Sequence, residues 1–374
     1  MKITGVEVFS RYVRWREWLF VRVSTDEGLH GWGEASTSDR GQAVVGVIKH
    51  FTPRLLGRDP SAIELIWRDL YTGWRGGPVV NSAISAIDGA LWDLQGKRLG
   101  EPIWKLLGGP IRHKVRVYAG GISRWLDSVS DHVDGSIRAR REGYRGVKVN
   151  PFGSAGQRSE TESLRFSEEL VRGIREANGP DFEIYLECAE RLTPRVAIEA
   201  SHMFRPFRPV WMEEPIPADN TKAMCSLARQ MSVPIACGEK MFSRQDFREL
   251  LEGEGAAFIQ PDLTHAGGIT EVKKIAAAAD TYFVQVAPHN SGGPISAAMA
   301  MQIAAVSPNF YVLETAHPEY ELRCTVGGEA MEIHSGYMHL SNNPGLGIPD
   351  LNLAALEEEA QGDEPVYAWR AFSE

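Results

Sequence analysis

Between Glu187 and Glu314 one pattern repeats: a short apolar run that ends on an acidic or imidazole side chain. Ile-Tyr-Leu ends on Glu187, Val-Trp-Met on Glu213 and Glu214, and Ile-Ala-Cys-Gly on Glu239. Asp262 follows Phe-Ile-Gln-Pro, His289 follows Val-Gln-Val-Ala-Pro, and Tyr-Val-Leu ends on Glu314. The interval is about 25 residues, the length of one strand, one helix and two short loops; repeated, such a unit gives parallel strands. Polar residues at the carboxyl ends of barrel strands converge on one mouth, where barrel active sites lie. Glu187, Glu213 and Glu239 therefore read as a carboxylate ring for a hard divalent cation. Asp262 and His289 read as an acid–base pair beside it.

The bulk properties narrow the class. The 374 residues carry a net charge of −9 and no basic block, which argues against nucleic acid as the main partner. Cys188, Cys225, Cys237 and Cys324 form no CxxC pair and fit reduced thiols in a cytoplasmic protein. The amino terminus lacks a signal-peptide core, and no apolar run is long enough to span a bilayer, so no membrane partner is expected.

Taken in order, the chain opens with β signals to about residue 37. Trp18 to Thr25 reads as a strand, the Asp26-Glu-Gly-Leu turn follows, and His30 to Ala35 returns as the next strand. Helical spacing follows to Leu107, with Ile84, Ile87, Leu91 and Leu94 on one face. Residues 1–112 thus form a small α+β domain. From 113 to 318, eight strand signals appear, seven of them followed by a helix: a modified TIM barrel, (β/α)7β. After Pro318 the pattern turns irregular and β-like, and residues 319–374 are expected to pack back on the first domain.

The ring carries the strongest chemical signal. Three carboxylates converging at a mouth repel one another unless a cation lies between them. An all-oxygen set favours Mg²⁺, with Mn²⁺ as the alternative. Asp262 would orient the His289 imidazole and raise its basicity. Lys148 falls across the barrel from His289; near a cation its pKa drops and it becomes a second base, or it binds a carboxylate oxygen. Glu314 would hydrogen-bond an enolate oxygen if protonated, or pair with a substrate hydroxyl or with Lys148. Asn150, Arg191 and His265 are candidate substrate contacts at the mouth. A cation beside a base has a natural use in removing the proton α to a carboxylate.

These residues resemble the enolase superfamily, and within it the mandelate racemase-like subgroup, nearest the galactonate- and gluconate-type acid sugar dehydratases. The stretch Ala83 to Lys97, followed by Leu-Leu-Gly-Gly, is similar to the capping-domain signature. Trp211-Met-Glu-Glu-Pro, Gly238-Glu-Lys-Met-Phe-Ser-Arg and Gln260-Pro-Asp-Leu-Thr-His-Ala-Gly-Gly are similar to the barrel motifs. The resemblance implies a capping domain over the barrel, a Mg²⁺ site with Glu213 rather than Glu214 as ligand, and homo-oligomers. It also implies dehydration of an aldonate or aldarate to a 2-keto-3-deoxy acid. His289, Asp262 and Glu314 match its catalytic positions.

Two departures stand out. The first ligand is Glu187 where the family more often has Asp. Ala189 occupies the position of the histidine that protonates the leaving hydroxyl in galactonate-type enzymes, and the second strand reads Lys148-Val-Asn150, without the two-lysine racemase motif. His289 as both base and acid, or Lys148 as base with His289 as acid, would each run a dehydration; the Asp262 partner favours His289 as base. An epimerase or cycloisomerase working through the same enolate, and a ligand-binding homologue without turnover, are the alternatives. Arg14-Trp-Arg-Glu-Trp and Gly73-Trp-Arg-Gly-Gly are candidate covers for the mouth.

Overall fold

A computed structural model describes residues 1–360, apart from residues 15, 38–39, 73–75, 125 and 154–157. Part of each candidate cover therefore lies outside the described residues.

The chain begins with an antiparallel sheet of β1 (Ile3–Val13), β2 (Arg16–Thr25) and β3 (His30–Ala35), in that order. The helices α1 (Gly41–Leu55), α2 (Ile63–Tyr71) and α3 (Pro78–Leu99) cover one face of it. Pro78 at the first turn of α3 and Gly100 in the left-handed conformation at its end bound that helix as its sequence suggests. Buried residues occupy every side of α3 between Asn81 and Leu94. An all-round buried helix needs cover on both flanks; the sheet supplies one and the barrel the other. The short α4 (Ile103–Leu106) leads into the second unit.

Eight parallel strands follow: β4 (Lys114–Gly120), β5 (Gly146–Val149), β6 (Glu183–Glu187), β7 (Trp211–Glu213), β8 (Ile235–Cys237), β9 (Phe258–Ile259), β10 (Gln285–Val286) and β11 (Leu313–Ala316). Each pairs with its predecessor up to β10, and β11 pairs with β4. The bridge between Val286 and Phe310 completes the ring. The seven linking helices are α5 (Val129–Arg141), α6 (Glu160–Asn178), α7 (Pro194–Phe204), α8 (Thr221–Ala228), α9 (Arg244–Glu252), α10 (Gly268–Thr281) and α11 (Pro294–Val306). Ser159 and Glu162 close a reciprocal capping box at the start of α6.

The stretch after Pro318 departs from the expectation of irregular chain. It forms α12 (Tyr320–Gly327), an eighth helix that packs against α11. Two short strands follow, β12 (Ile333–His334) and β13 (Tyr337–His339), and β13 pairs antiparallel with β4 at the foot of the barrel. The remaining tail does reach the first unit: Trp32 donates to Asp350 at 2.7 Å, and Leu346 N donates to Asp93 at 2.8 Å. The tail, with α13 (Leu353–Ala360), thus braces both units.

Carboxylates of the capping unit hold it to the barrel. Glu34 accepts from Gly293 N and Ser296 N at the start of α11, and Asp88 accepts from Thr270 N at the start of α10. Backbone N–H groups at a helix start have no partner within the helix and favour negative charge. Gly268 permits one of these contacts, because a Cβ there would lie 2.4 Å from Asp88 Oδ2.

Candidate active site

The mouth is set by strand ends. Along β6, Tyr185 and Glu187 point into the barrel while Leu186 faces the helices; Trp211, Met212 and Glu213 repeat this on β7, and Val312, just before β11, repeats it with Leu313 and Glu314. Glu187, Glu213 and Glu239 each bring one oxygen within 4.8 Å of the others. Glu213 is fully buried, and Trp211 Nε1 donates to its Oε2 at 3.0 Å, fixing its rotamer from below. Glu187 is fixed by Ala189 N, which donates to its Oε1 at 2.7 Å. Ala189 and Glu190 have φ of 50° and 60°, and Glu214 has φ of 42°. Such left-handed conformations are strained for residues with a Cβ and cluster at functional sites.

The ring suits a hard cation. Burial and repulsion from Glu213 push the Glu187 carboxyl well above its ordinary range, even with Lys148 opposing. All donors are carboxylate oxygens, and no Cys or His stands among them. The structure therefore offers an acidic triad able to hold a metal ion.

Lys148 touches three carboxylates. Its Nζ lies 2.6 Å from Glu213, 2.9 Å from Glu314 and 3.5 Å from Glu187. Burial alone would lower its pKa, but Glu213 and Glu314 outweigh burial and hold it well above the ordinary lysine value. In these surroundings the ammonium is the ring's own counter-charge; a cation bound among the three glutamates would take over that role and lower the Lys148 pKa. Glu314 departs from the protonated option. Burial pushes it up, yet Lys148 and His289 bring it down to about 2, so it is ionised. Gly120 makes room for it: a Cβ there would lie 2.3 Å from Glu314 Oε1.

His289 faces Lys148 across Glu314. Its Nδ1 is 2.7 Å from Asp262 Oδ2, and its Nε2 is 3.5 Å from Glu239 and 3.9 Å from Glu314. Burial lowers the imidazole pKa, but Glu239 and Asp262 lead the groups that raise it to about 9. Asp262 is pinned by Thr264, whose N and Oγ1 donate at 2.7 and 2.6 Å. With Nδ1–H committed to Asp262, Nε2 is the nitrogen available for proton transfer.

The other expected contacts divide. Asn150 and Arg191 line the cavity above the ring. Arg191 donates to the carbonyls of Phe152 and Gly153 at 3.1 and 2.9 Å, holding the loop after β5. His265 is drawn elsewhere and lines no part of that cavity. Its ring nitrogens meet the carbonyls of Ser36 at 3.2 Å and Glu239 at 2.6 Å, so it ties the capping unit to the ring. Glu190, beside Ala189, pairs with Lys240 and accepts from Ala218 N at 3.0 Å, which turns it away from the ring. The cavity lining also includes residues that were not among the expected contacts, such as Ser291, Arg124, Glu319 and, named only within a covering segment, Arg16. No local pattern marks them, since the two domains and the α11 and α12 loops bring them together.

Known proteins resemble this chain in both sequence and fold. Residues 8–108 match the mandelate racemase/muconate lactonizing enzyme N-terminal domain, and residues 133–350 match the enolase C-terminal domain-like family. A crystal structure from Mesorhizobium loti, provisionally named a dehydratase, is 33% identical over 96% of this chain and 98% of its own, with a TM-score of 0.90. Another from Zymomonas mobilis, also provisionally named a dehydratase, is 31% identical over 95% and 97%, with a TM-score of 0.88. A third, from Agrobacterium radiobacter, provisionally named a galactarate dehydratase and bound to sodium and L-malate, is 31% identical over 96% and 95%, with a TM-score of 0.86.

Proposed function

Since the chain belongs to the mandelate racemase/muconate lactonizing enzyme family of the enolase superfamily, we propose that it is a Mg²⁺-dependent dehydratase of a sugar acid. The observation that carries the reading is the juxtaposition of the Glu187–Glu213–Glu239 triad with two proton carriers, His289 and Lys148, separated by the ionised Glu314. Relatives provisionally named dehydratases support it.

Mg²⁺ held by the three glutamates would supply the positive charge that steadies a substrate carboxylate as negative charge builds on it. The chain's own groups do the rest. Asp262 keeps the His289 ring oriented with Nε2 toward the substrate. Either His289 Nε2 or Lys148 Nζ takes the α-proton, and the electron pair of that C–H bond becomes the new C=C bond. The β-hydroxyl then leaves with its bonding pair and, given a proton, departs as water. Ala189 has no proton to give and Glu190 is turned away. His289 therefore donates that proton in both routes: its own recovered proton in a syn elimination, or a second one if Lys148 is the base. The enol left behind tautomerises to the 2-keto-3-deoxy acid.

The test is a screen of the purified protein, with and without Mg²⁺, against aldonic and aldaric acids. The expected result is a 2-keto acid from one stereochemical series, lost on removing the metal with a chelator. Turnover that is unaffected by thorough chelation would contradict the proposal.

A further inference from the structure

The loop that carries His289 is held by two buried charges that take no part in the proposed proton transfers. It connects β10 to α11. From the capping domain, Glu34 on β3 accepts from Gly293 N, and its second oxygen accepts from Ser296 N at 2.8 Å. From α12, Arg323 Nη2 donates to the Gly292 carbonyl and, at 3.4 Å, to that of Asn290. The Gly292 carbonyl and the Gly293 N–H belong to one peptide unit. That unit is therefore gripped by a cation at its oxygen and an anion at its nitrogen. Hydrogen bonds to charged groups are shorter and roughly twice as strong as neutral ones. Both charged residues are buried, so water does not compete for the peptide.

The grip is tight. A Cβ on Gly292 would lie 2.7 Å from Glu34 Oε1 and 2.9 Å from Ser296 Cβ. Asn290, also fully buried, ties the same loop to the last barrel strand. Its Nδ2 donates to the Glu314 carbonyl at 2.8 Å, and its Oδ1 accepts from Ser296 Oγ at 2.8 Å. Burial lowers the Arg323 pKa, with Glu319 and then Glu34 opposing, so its charge is met within the protein. Burial lifts the Glu34 carboxyl to about 7, against the two N–H groups and Arg323, so it is ionised above that pH. The His289 imidazole is oriented by Asp262, but where the ring stands is set by this backbone. A displacement of ~1 Å in a reacting group can cost about 10²-fold in rate.

We infer that Glu34 and Arg323 are positioning residues: gripping the Gly292–Gly293 peptide from opposite sides, they set the place of the His289 loop and so the reach of Nε2. The kinetic consequence rests on the dehydratase reading; the grip itself does not. It gives the capping domain and α12 a joint hold on a proton carrier that neither of them supplies.

Two measurements on the Mg²⁺-loaded protein at about pH 8, above the Glu34 value, test it. The first is steady-state kinetics with whichever aldonic or aldaric acid the wild type turns over. Arg323→Met should lower kcat by about tenfold or more with KM little changed, and Arg323→Lys, which keeps the charge, should recover part of the loss. Glu34→Gln should act likewise. The double variant should fall no further than the worse single one, since both residues act on one peptide. The second measurement, amide hydrogen exchange read by mass spectrometry, needs no turnover. Residues 289–296 should exchange about tenfold faster or more in Arg323→Met, with β2 and β5 unchanged. Additive losses in the double variant, a kcat unmoved in Arg323→Met, or faster exchange spread evenly over the chain would overturn the inference. If Arg323→Met does not fold, Arg323→Lys and Glu34→Gln decide on the same two readouts. Selective loosening of residues 289–296 in a protein that turns over no acid would support the grip and contradict the dehydratase reading alone.

Discussion

The lower and upper halves of the barrel interior come from the same strands, two residues apart, yet they are physical opposites. Below, Tyr118, Tyr185, Trp211, Phe258 and Val312 pack into one apolar plug. One pleat repeat further along lie Gly120, Glu187, Glu213, Gln260 and Glu314. Tyr185 packs at a tilt against Tyr118 and Trp211 with ring centroids 4.3 and 4.4 Å apart, and Phe258 packs on Trp211 at 5.0 Å. Such large rings stabilise the fold through burial and contact. The upper layer gathers like charges, some of them buried, and its backbone holds left-handed residues at Ala189, Glu190 and Glu214. The floor is what makes that tolerable. Trp211 does both tasks, filling the plug with its ring and holding Glu213 with its Nε1. Stability and chemistry are separated here by two positions on a strand.

The comparison can be broken most sharply at the mouth. His289→Asn should lower turnover by about 10²–10⁴-fold, the usual contribution of a general acid–base group, with a thermal midpoint close to wild type. Steady-state kinetics beside a melting curve would check this, and a variant that unfolded instead would make His289 part of the support. The converse change is Trp211→Ala. It should cost about 3–5 kcal/mol of stability, as truncation of a buried aromatic does, read from denaturant unfolding. A smaller third effect separates the layers by sign. Glu187→Gln removes one of three repelling carboxylates, so the metal-free variant should melt at or above the wild-type temperature. The wild type should gain on adding Mg²⁺, by about 2.7 kcal/mol at 100 times its Kd, and the variant should gain far less.

A buried carboxylate outside the mouth tests whether burial alone would make a site. Asp88 sits at the domain junction, where burial lifts its pKa from 3.8 to about 7 against hydrogen bonds from Thr270. The folded state then holds the proton more tightly than the unfolded chain. Its stability contribution is therefore fully present in acid and is lost as pH rises through about 7. Asp88→Asn should flatten the stability profile between pH 5 and 8 by about 2–3 kcal/mol, with turnover little changed. Equal loss of activity would mean that the junction, as well as the mouth, sets the chemistry.

What the sequence makes legible follows the same division. Strand-end acids repeat at a fixed interval, so the fold class and the convergence of Glu187, Glu213, Glu239, Asp262, His289 and Glu314 can be read from local pattern and strand alternation. Contacts made by docking one domain on another leave no such trace. Arg16 reaches Ser291, and His265 reaches the Ser36 carbonyl, only because the capping unit lies where it does. The α12 helix was missed for a local reason: Tyr320–Gly327 is short, ends in glycine and offers little apolar periodicity. Electrostatic states were equally hidden. The direction of the Lys148 shift depends on Glu213 and Glu314 meeting it at 2.6 and 2.9 Å, and that of Glu314 on the same ion pair, which spacing along the chain does not show.

The most direct measurement is α-proton exchange. The Mg²⁺-loaded protein would be incubated in D₂O with the sugar-acid panel and read by NMR for α-deuterium and for 2-keto acid. The account predicts that one stereochemical series yields keto acid, and that His289→Asn stops its formation. Bound metal and bound sugar acid, shown by calorimetry, with neither exchange nor keto acid in any series, would contradict it and leave the mouth a binding site.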